Sequence, residues 1–200
     1  MAPTEAPARL APIVVVYAHP YPSRSAANRA LLKGIRGAEG VAVRSLYDLY
    51  PEFDIDVEAE QEALAAAEVI VWQHPFYWYS APALLKLWFE KVLAMGWAYG
   101  KGGTALVGKK CLWVTTTGAP EESYSAEGVH GHPFDAFVPV MLQTARFCGM
   151  EWLEPIVLKG VHRFTREELK SHGRRYCSRL AQLYAALPKD AAQEGASADA

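Results

Sequence analysis

The sequence contains little cysteine and almost no net charge. Its three cysteines, at positions 111, 148 and 177, are widely spaced and form no C-x-x-C motif, so neither a disulfide framework nor a thiolate zinc site is indicated. Twenty basic residues against 22 acidic residues leave a formal net charge of -2. A chain with so small a charge exerts no long-range attraction on DNA, RNA or an anionic membrane, and we predict that it binds no nucleic acid.

Long apolar runs and a secretion signal are also lacking. The longest apolar runs, such as residues 13–18, fall far short of the roughly 18 residues that a membrane-spanning helix needs. Residues 1–12 contain no apolar stretch behind a basic cluster, which a secretory signal would show. We therefore expect a cytoplasmic protein, in the reducing compartment that the scarce, unpaired cysteines also favour.

Hydrophobic residues are plentiful, at 51% of the chain, and they include 7 Phe, 6 Trp and 10 Tyr. This content is sufficient for one well-packed domain. We place that domain at residues 12–187, after a flexible N-terminus at residues 1–11. Residues 188–200 contain no large apolar side chain and are predicted to form a disordered tail.

Short β-branched runs alternate with amphipathic stretches along this domain, which is the pattern of a parallel sheet covered by helices on both faces. The predicted strands are Ile13–Ala18, Val41–Ser45, Val69–Gln73, Lys110–Thr115 and Trp152–Leu158. They favour an α/β, flavodoxin-like three-layer fold with a five-stranded parallel sheet of order 2-1-3-4-5. In this arrangement a ligand lies beyond the carboxyl ends of the strands, where the strand order reverses.

Sequence features that predict helices lie between the predicted strands. Predicted helices follow Ser25 as an N-cap, span Asp56–Ala67, begin with Pro82 as the first helical residue, span Val138–Cys148, and follow a Thr165–Glu168 capping box. The helix after Pro82 is apolar on nearly every side, so we expect one face to pack on the sheet and the other on a second subunit. The alternative is that loops of the same chain cover it.

The first of three loops at the predicted ligand site runs from His19 to Asn28. It carries hydroxyl, imidazole, guanidinium and carboxamide groups into a helix N-terminus, where free backbone N–H groups favour a phosphate. The glycine motifs of Rossmann and Walker nucleotide sites are absent from the sequence. Taken alone, the loop fits a structural role better, with Ser25 as a helix cap and His19 as an ordinary loop histidine.

The second loop contains four consecutive aromatic residues, Phe76, Tyr77, Trp78 and Tyr79, between two prolines. Four adjacent rings cannot all point into a core from one turn, so they favour a flat aromatic ligand. An aromatic subunit interface is the alternative, and both interpretations hold if the pocket lies at the subunit boundary.

The third loop follows Thr116 and offers hydroxyl and amide donors, with Gly118 allowing close approach of the backbone to a ligand. It ends in a His130-x-His132 pair that has no third ligand at a suitable spacing, so no metal site is predicted. Tyr124 and His130 form a candidate pair for proton handling. Imidazole titrates near neutral pH, and a phenol can donate to developing negative charge.

Longer stretches of the chain resemble one family. The matching segments are Tyr17–Pro22, Ser45–Pro51, Trp72–Pro75, Trp78–Ser80, Leu84–Trp88, Gly96–Gly100 and Thr116–Gly118, and the resemblance covers about residues 12–187. On these segments the chain resembles the flavodoxin-like NAD(P)H:quinone oxidoreductases. It most closely resembles the ancillary flavoproteins of glutathione-gated potassium-efflux (Kef) systems.

The resemblance implies a homodimer that binds FMN, or alternatively FAD. The implied flavin contacts are His19, Ser25, Ala26, Ala27 and Asn28 near the phosphate and ribityl chain, Phe76, Tyr77, Trp78 and Tyr79 beside the isoalloxazine, and Thr116, Thr117, Gly118 and Ala119 at its polar edge. The stretch from Tyr124 to Gly131 also resembles the mammalian-type quinone reductases, which implies that Tyr124 and His130 are catalytic and stabilise charge that develops on the flavin. Ala119 stands where the family commonly has a second glycine, so strain is expected if this position requires positive φ.

The implied reaction is a ping-pong transfer of two electrons. Hydride passes from NADPH or NADH to flavin N5, the oxidised nicotinamide leaves, and a quinone then accepts the hydride. The alternative function is a regulatory one. In it, the protein is a cytosolic subunit docked on a potassium-efflux membrane protein at the inner face of the cell membrane, and its redox activity is secondary.

Overall fold

The computed structural model describes residues 10–188. Predictions about residues 1–9 and 189–200, which include most of the expected flexible N-terminus and tail, lie outside this range. Within the described range, no helix is both long enough and apolar enough to cross a membrane.

The centre of the structure is a parallel sheet of β1 (Ile13–Tyr17), β2 (Val41–Ser45), β3 (Val69–Pro75), β4 (Lys110–Thr116), β5 (Glu151–Trp152) and β6 (Ile156–Leu158). The strands lie in the order β2-β1-β3-β4-β5, and β6 also pairs with β4. The predicted α/β fold and strand order are confirmed. Every residue of β1 and β3 is buried because helices cover both faces of the sheet.

The predicted fifth strand is the main difference in the sheet. Instead of one strand over Trp152–Leu158, β5 pairs with the start of β4 and β6 pairs with its end. Pro155 lies between the two pieces, and it has no backbone N–H to donate to a ladder. The prediction of one continuous strand is wrong for this reason, although both pieces run parallel to β4.

Six α-helices of the described chain surround the sheet: α1 (Ala26–Ile35), α2 (Leu46–Leu49), α3 (Val57–Ala66), α4 (Ala83–Val92), α5 (Val138–Phe147) and α6 (Arg166–Ala185). Side chains of α1 and α6 pack on one face, and those of α3, α4 and α5 pack on the other. The Ser25 cap and the Thr165–Glu168 capping box are confirmed. Pro82 lies one residue before α4 because its ψ of 152° is extended, and Asp56 and Cys148 flank α3 and α5 as caps.

A buried ion pair joins β2 to the helices on one face of the sheet. The Glu60 carboxylate accepts hydrogen bonds from the Arg44 guanidinium at 2.7 Å, the Tyr50 hydroxyl at 2.6 Å and the Trp88 indole N–H at 2.9 Å. Glu60 is fully buried, and a buried carboxylate requires such donors because an unpaired buried charge is strongly unfavourable. The contact with Trp88 therefore fixes α4, the helix that follows the aromatic loop.

Helices α1 and α6 approach each other closely at two glycines. A Cβ atom on Gly173 would lie 2.6 Å from the carbonyl oxygen of Ala30, and one on Gly34 would collide with the Gly173 carbonyl group. The two backbones can cross at this distance only because both positions lack a side chain. The contact holds α1 in place, and the N-terminus of α1 borders the site described next.

Candidate active site

The three predicted loops meet at the carboxyl ends of β1, β3 and β4. The side-chain amide of Asn28 donates to Thr116 Oγ1 at 2.9 Å, and the Phe76 N–H donates to the Thr116 carbonyl at 2.8 Å. The rings of His19 and Tyr77 pack edge to face with centroids 5.9 Å apart. Residues of the first, second and third loops are thus in contact, as expected at the point where the strand order reverses.

A cavity of about 400 Å³ opens at the N-terminus of α1. This α1 cavity is lined by His19, Tyr21, Arg24, Ser25, Ala26, Ala27, Pro75, Tyr77, Val161, His162, Phe164 and Leu169. None of these described residues is acidic, whereas His19, Arg24 and His162 can each donate a hydrogen bond. The free N–H groups at the start of α1 add further donors, so the cavity suits an anionic group such as a phosphate.

The His19 ring has a defined tautomer. The backbone N–H of Tyr21 donates to His19 Nδ1 at 3.0 Å, so the neutral ring carries its proton on Nε2. Burial lowers the pKa of His19, which favours this neutral form. His19 is therefore placed as a neutral N–H donor at the α1 cavity.

Ser25 and Asn28 join the first loop to the sheet. Ser25 Oγ accepts from the Asn28 backbone N–H at 3.2 Å and from its side-chain amide at 3.1 Å. Asn28 is 1% exposed, and the same amide reaches Thr116, so its side chain links α1 to β4. Of the neighbouring predicted contacts, Ala26 is exposed and Ala27 is buried. Direct flavin contact by Asn28 stays a prediction.

The aromatic loop is built on a left-handed turn. Tyr77 and Ser80 exchange backbone hydrogen bonds at 3.2 and 2.9 Å, and between them Trp78 and Tyr79 have φ values of 49° and 61°. This conformation favours glycine, asparagine or aspartate over large side chains. The turn leaves Tyr77, Trp78 and Tyr79 exposed, Trp78 to 93%, while Phe76 packs against the core. The prediction that the four rings do not all point inward is confirmed.

A second cavity, of about 230 Å³, lies beside this turn. This aromatic cavity is lined by Phe76, Trp78, Tyr79, Ala119, Tyr124 and His130. It therefore brings together predicted site residues from the second and third loops. Its walls are rings and its volume is small, so it suits part of a flat aromatic ligand.

Tyr124 and His130, the predicted catalytic pair, stack on each other with ring centroids 4.4 Å apart and planes inclined by 25°. Burial raises the pKa of the Tyr124 hydroxyl, and the Thr117 side chain partly opposes this shift. The hydroxyl is therefore a protonated donor at neutral pH. His130 Nδ1 lies 3.4 Å from the Tyr79 hydroxyl, and His130 Nε2 is buried with no hydrogen-bond partner among residues 10–188.

The segment after β4 forms the remaining edge of the site. Thr116 and Thr117 are buried, and the Thr117 hydroxyl donates to the Ala119 carbonyl at 2.6 Å. Gly118 is exposed, and a Cβ atom there would lie 3.0 Å from His162 Nε2. Ala119 is not among the described residues with positive φ, so this position carries no strain of the kind considered above.

Three residues of the site lie beyond the sequence predictions. Phe134 and Phe137 belong to a short 3₁₀ helix after the third loop, and their rings lie 5.0 and 5.6 Å from that of Phe76. Their close spacing in sequence is a signal that could have identified them. His162 follows β6 and lines the α1 cavity, but nothing in its local sequence distinguishes it.

The α1 cavity and the aromatic cavity share one end of the sheet, and together they suit a ligand with an anionic end and a flat aromatic end. This fold and this site define a flavodoxin-like α/β protein. A family model, Flavodoxin_2, described as having a flavodoxin-like fold, matches residues 11–180, and the chain belongs to this family.

Solved structures of similar proteins span most of the chain. General stress protein 14 from Treponema denticola, in complex with FMN, is 33% identical, with 86% of this chain and 98% of that one covered and a TM-score of 0.81. An NADPH-quinone reductase from P. pentosaceus is 25% identical, with 84% and 96% covered and a TM-score of 0.75. A structure described as a thermophilic tryptophan halogenase from Streptomycin violaceusniger is 39% identical, with 82% and 95% covered and a TM-score of 0.78.

Proposed function

We propose that this protein is an FMN-dependent NAD(P)H:quinone oxidoreductase. The reaction converts NAD(P)H, a proton and a quinone into NAD(P)+ and a hydroquinone. The observation that carries the proposal is the stacked Tyr124–His130 pair in an aromatic cavity next to a cavity of hydrogen-bond donors. The FMN complex of the Treponema protein and the quinone reductase from P. pentosaceus support it.

The residues of the site fit a flavin mononucleotide. The phosphate would bind at the start of α1 with Arg24, Ser25 and neutral His19, where none of the lining residues within 10–188 is acidic. The ring system would lie between the aromatic loop and the segment that begins with Thr116. Bound flavin supplies the chemistry of two-electron transfer between a nicotinamide and a quinone. The protein supplies orientation, a ring-walled surface and fixed donors.

Tyr124 and His130 would stabilise negative charge as electrons arrive. Tyr124 Oη holds its proton at neutral pH, as a phenol ordinarily does, and burial raises its pKa further, so it can donate a hydrogen bond to the charged acceptor. The buried, unpaired Nε2 of His130 is a second polar atom that a ligand oxygen would satisfy. The stacking of the two rings keeps both groups at one edge of the aromatic cavity.

Substitution of this pair tests the proposal. Tyr124→Phe and His130→Ala should each slow reduction of the bound flavin by NADPH by about 100- to 1,000-fold, the range expected for loss of one fixed donor. Flavin content should be unchanged. Stopped-flow absorbance measures the first quantity and the visible spectrum the second, with Tyr184→Phe on α6 as a matched control.

Two results would count against the proposal. One is a protein that stays colourless after reconstitution with FMN, or that fails to oxidise NADPH and NADH with a quinone. The other is chlorination of tryptophan in the presence of flavin, NADPH, chloride and O2 as the oxidant, which would instead assign the activity in the name of the 39% identical neighbour. The visible spectrum detects the bound flavin, and mass spectrometry of the product distinguishes a hydroquinone from chlorinated tryptophan.

FAD is the alternative cofactor, and a groove next to the α1 cavity makes the choice testable. The groove, of about 760 Å³, runs between α1 and α6 and includes five basic residues, Arg29, Lys33, Arg166, Lys170 and Arg174. We propose FMN because the phosphate needs only the α1 cavity. Mass analysis of the flavin released from the purified protein should show FMN, and FAD would indicate that the basic groove holds the additional adenylate.

We also propose that the enzyme is a homodimer. A largely apolar groove of about 660 Å³ lies between α4 and α5 and includes Phe89, Leu93 and Met141. Phe147 and Val140 at this groove are 61% and 57% exposed, which is unfavourable for large apolar side chains in a monomer. A regulatory partnership with a potassium-efflux protein stays a prediction of the sequence resemblance.

A further inference from the structure

The hydroxyl of Tyr79 lies next to a ring nitrogen of His130, the histidine to which we assign a catalytic role. This hydroxyl lies 3.4 Å from His130 Nδ1, and the two rings are nearly perpendicular, at 83°. We propose that Tyr79 is a positioning residue that donates its hydroxyl proton to Nδ1 and so keeps the His130 proton on Nε2. This role goes beyond wall-forming contact with a flavin, and its catalytic meaning depends on the function proposed above.

The left-handed turn is what directs Tyr79 toward His130. Two backbone hydrogen bonds between Tyr77 and Ser80 close the turn, so the Tyr79 backbone is fixed at both sides. The Tyr79 ring then stacks on Phe137 at 5.4 Å and 26° and meets Phe76 edge to face at 6.3 Å. Although Tyr79 is 49% exposed, these contacts lie along its ring and place its hydroxyl near Nδ1.

Contacts on the other side of the aromatic cavity fix the position of His130. Its ring stacks on Tyr124, which in turn packs edge to face against Phe134 at 5.2 Å. The backbone N–H of His130 also donates to the Ser123 carbonyl at 3.2 Å. With the position of the ring determined, the remaining variable is which of its two nitrogens carries the proton.

Elementary hydrogen-bond chemistry favours donation from Tyr79. A phenol hydroxyl is a good donor and a neutral imidazole nitrogen is a good acceptor, so an O–H···Nδ1 bond leaves the proton on Nε2. That Nε2 atom is buried without a partner in the described chain. An unpaired buried N–H is costly, and a carbonyl oxygen of a bound flavin, nicotinamide or quinone would relieve the cost.

The tautomer can be measured directly. In FMN-loaded protein with ¹⁵N-labelled histidine, two-bond ¹⁵N–¹H correlation spectra at pH 7.5 should show His130 in the Nε2–H form, with His130→Gln assigning the signal. In Tyr79→Phe the ring should become a mixture of both tautomers. Tyr184→Phe, which removes a hydroxyl far from the site, should leave the spectrum of His130 unchanged.

Kinetics connect the tautomer to the reaction. Tyr79→Phe should lower kcat for quinone reduction by up to about twofold while KM for NADPH and flavin content remain the same, because an equal mixture of tautomers leaves half of His130 in the useful form. A role in packing alone would change flavin content or KM and leave the tautomer as it was.

The possible outcomes separate this inference from the proposed function. An Nδ1–H tautomer in the wild-type protein, which needs no variant to detect, would overturn the inference, as would an unchanged tautomer in Tyr79→Phe. If the tautomer shifts in a protein that reduces no quinone, the positioning role stands and the proposed function fails. If quinone is reduced but the tautomer does not depend on Tyr79, the proposed function stands and the positioning role of Tyr79 fails.

Discussion

One buried histidine, His74, illustrates how a single residue next to the site affects the stability of the protein. His74 lies fully buried at the end of β3, where its Nε2 accepts from the Trp113 indole N–H at 2.8 Å. Its Nδ1 lies 2.9 Å from the Pro75 carbonyl and can donate to it. Both ring nitrogens are thus satisfied in one neutral tautomer. Burial lowers the pKa of His74 from 6.5 to about 4.

This pKa makes stability dependent on pH. Between pH 6.5 and about 4 the unfolded state binds a proton at His74 that the folded state does not bind, so the free energy of unfolding falls as pH falls through this window. The full difference corresponds to roughly 3 kcal/mol, and it is lost completely only below the folded-state pKa. Urea denaturation at a series of pH values measures it.

His74→Gln is the matched variant, because glutamine retains polarity without titrating. Its unfolding free energy at pH 7 should be lower, yet its decline between pH 6.5 and 5 should be shallower than that of the wild-type protein. His19 also has a pKa lowered by burial and contributes to both curves equally. Parallel pH curves for the two proteins would contradict the role assigned to His74.

At the scale of elements, the crossing of α1 and α6 leaves no room for a side chain at Gly173. Gly173→Ala would place a methyl group 2.6 Å from the Ala30 carbonyl oxygen. Alanine gains about 1 kcal/mol of helix propensity over glycine, but the steric conflict between two backbones should outweigh that gain. We expect a net loss of about 1–3 kcal/mol in the free energy of unfolding, measured by urea denaturation.

Ser178→Ala supplies the control on the same helix. Ser178 is exposed, so the added propensity meets no steric conflict and stability should rise by a few tenths of a kcal/mol. If Gly173→Ala proves as stable as the wild-type protein, the two helices cross at a greater distance than described. The flavin affinity of Gly173→Ala would then also be normal, because α1 would not have moved.

At the scale of the whole molecule, the proposed dimer follows from the groove between α4 and α5. Replacing both Phe147 and Val140 with aspartate puts two charges on the apolar surface that a second subunit would bury, so the dimer should dissociate into monomers at micromolar concentration. Light scattering coupled to size-exclusion chromatography measures the mass. Val43→Asp, on the opposite face of the sheet, should remain dimeric, and a wild-type monomer would contradict the proposal.

Much of this architecture is predictable because parallel strands are continuous apolar runs and helix caps have local signals. Val14, Val16 and their neighbours mark β1, and Thr165 with Glu168 marks the start of α6. Hydrophobicity alone does not show the break in the fifth strand, since apolar Trp152 and Ile156 lie on both sides of it, whereas Pro155 is a local signal against a continuous strand. The Glu60 ion pair also escapes prediction, because Arg44, Tyr50 and Trp88 meet it only through tertiary packing.

The candidate site also contains some residues with a local sequence signal and others that only tertiary packing brings together. The aromatic loop and the start of α1 are each a short continuous segment, so the sequence could single them out as candidate ligand-binding residues. His162 is far from both in sequence and reaches the α1 cavity only because β6 ends beside β4. The contact of Tyr79 with His130 likewise depends on two φ values that no residue preference would suggest, since tyrosine and tryptophan rarely adopt them.

The turn at Trp78 and Tyr79 has a consequence for how this sequence balances stability against activity. Glycine or asparagine at these two positions would relax the backbone, and large residues held in a left-handed conformation cost on the order of 1–3 kcal/mol each. The contacts of the surrounding fold must compensate for this cost at the two positions that line the aromatic cavity. Replacing Trp78 and Tyr79 with glycine should therefore make the protein more stable while removing two walls of the cavity.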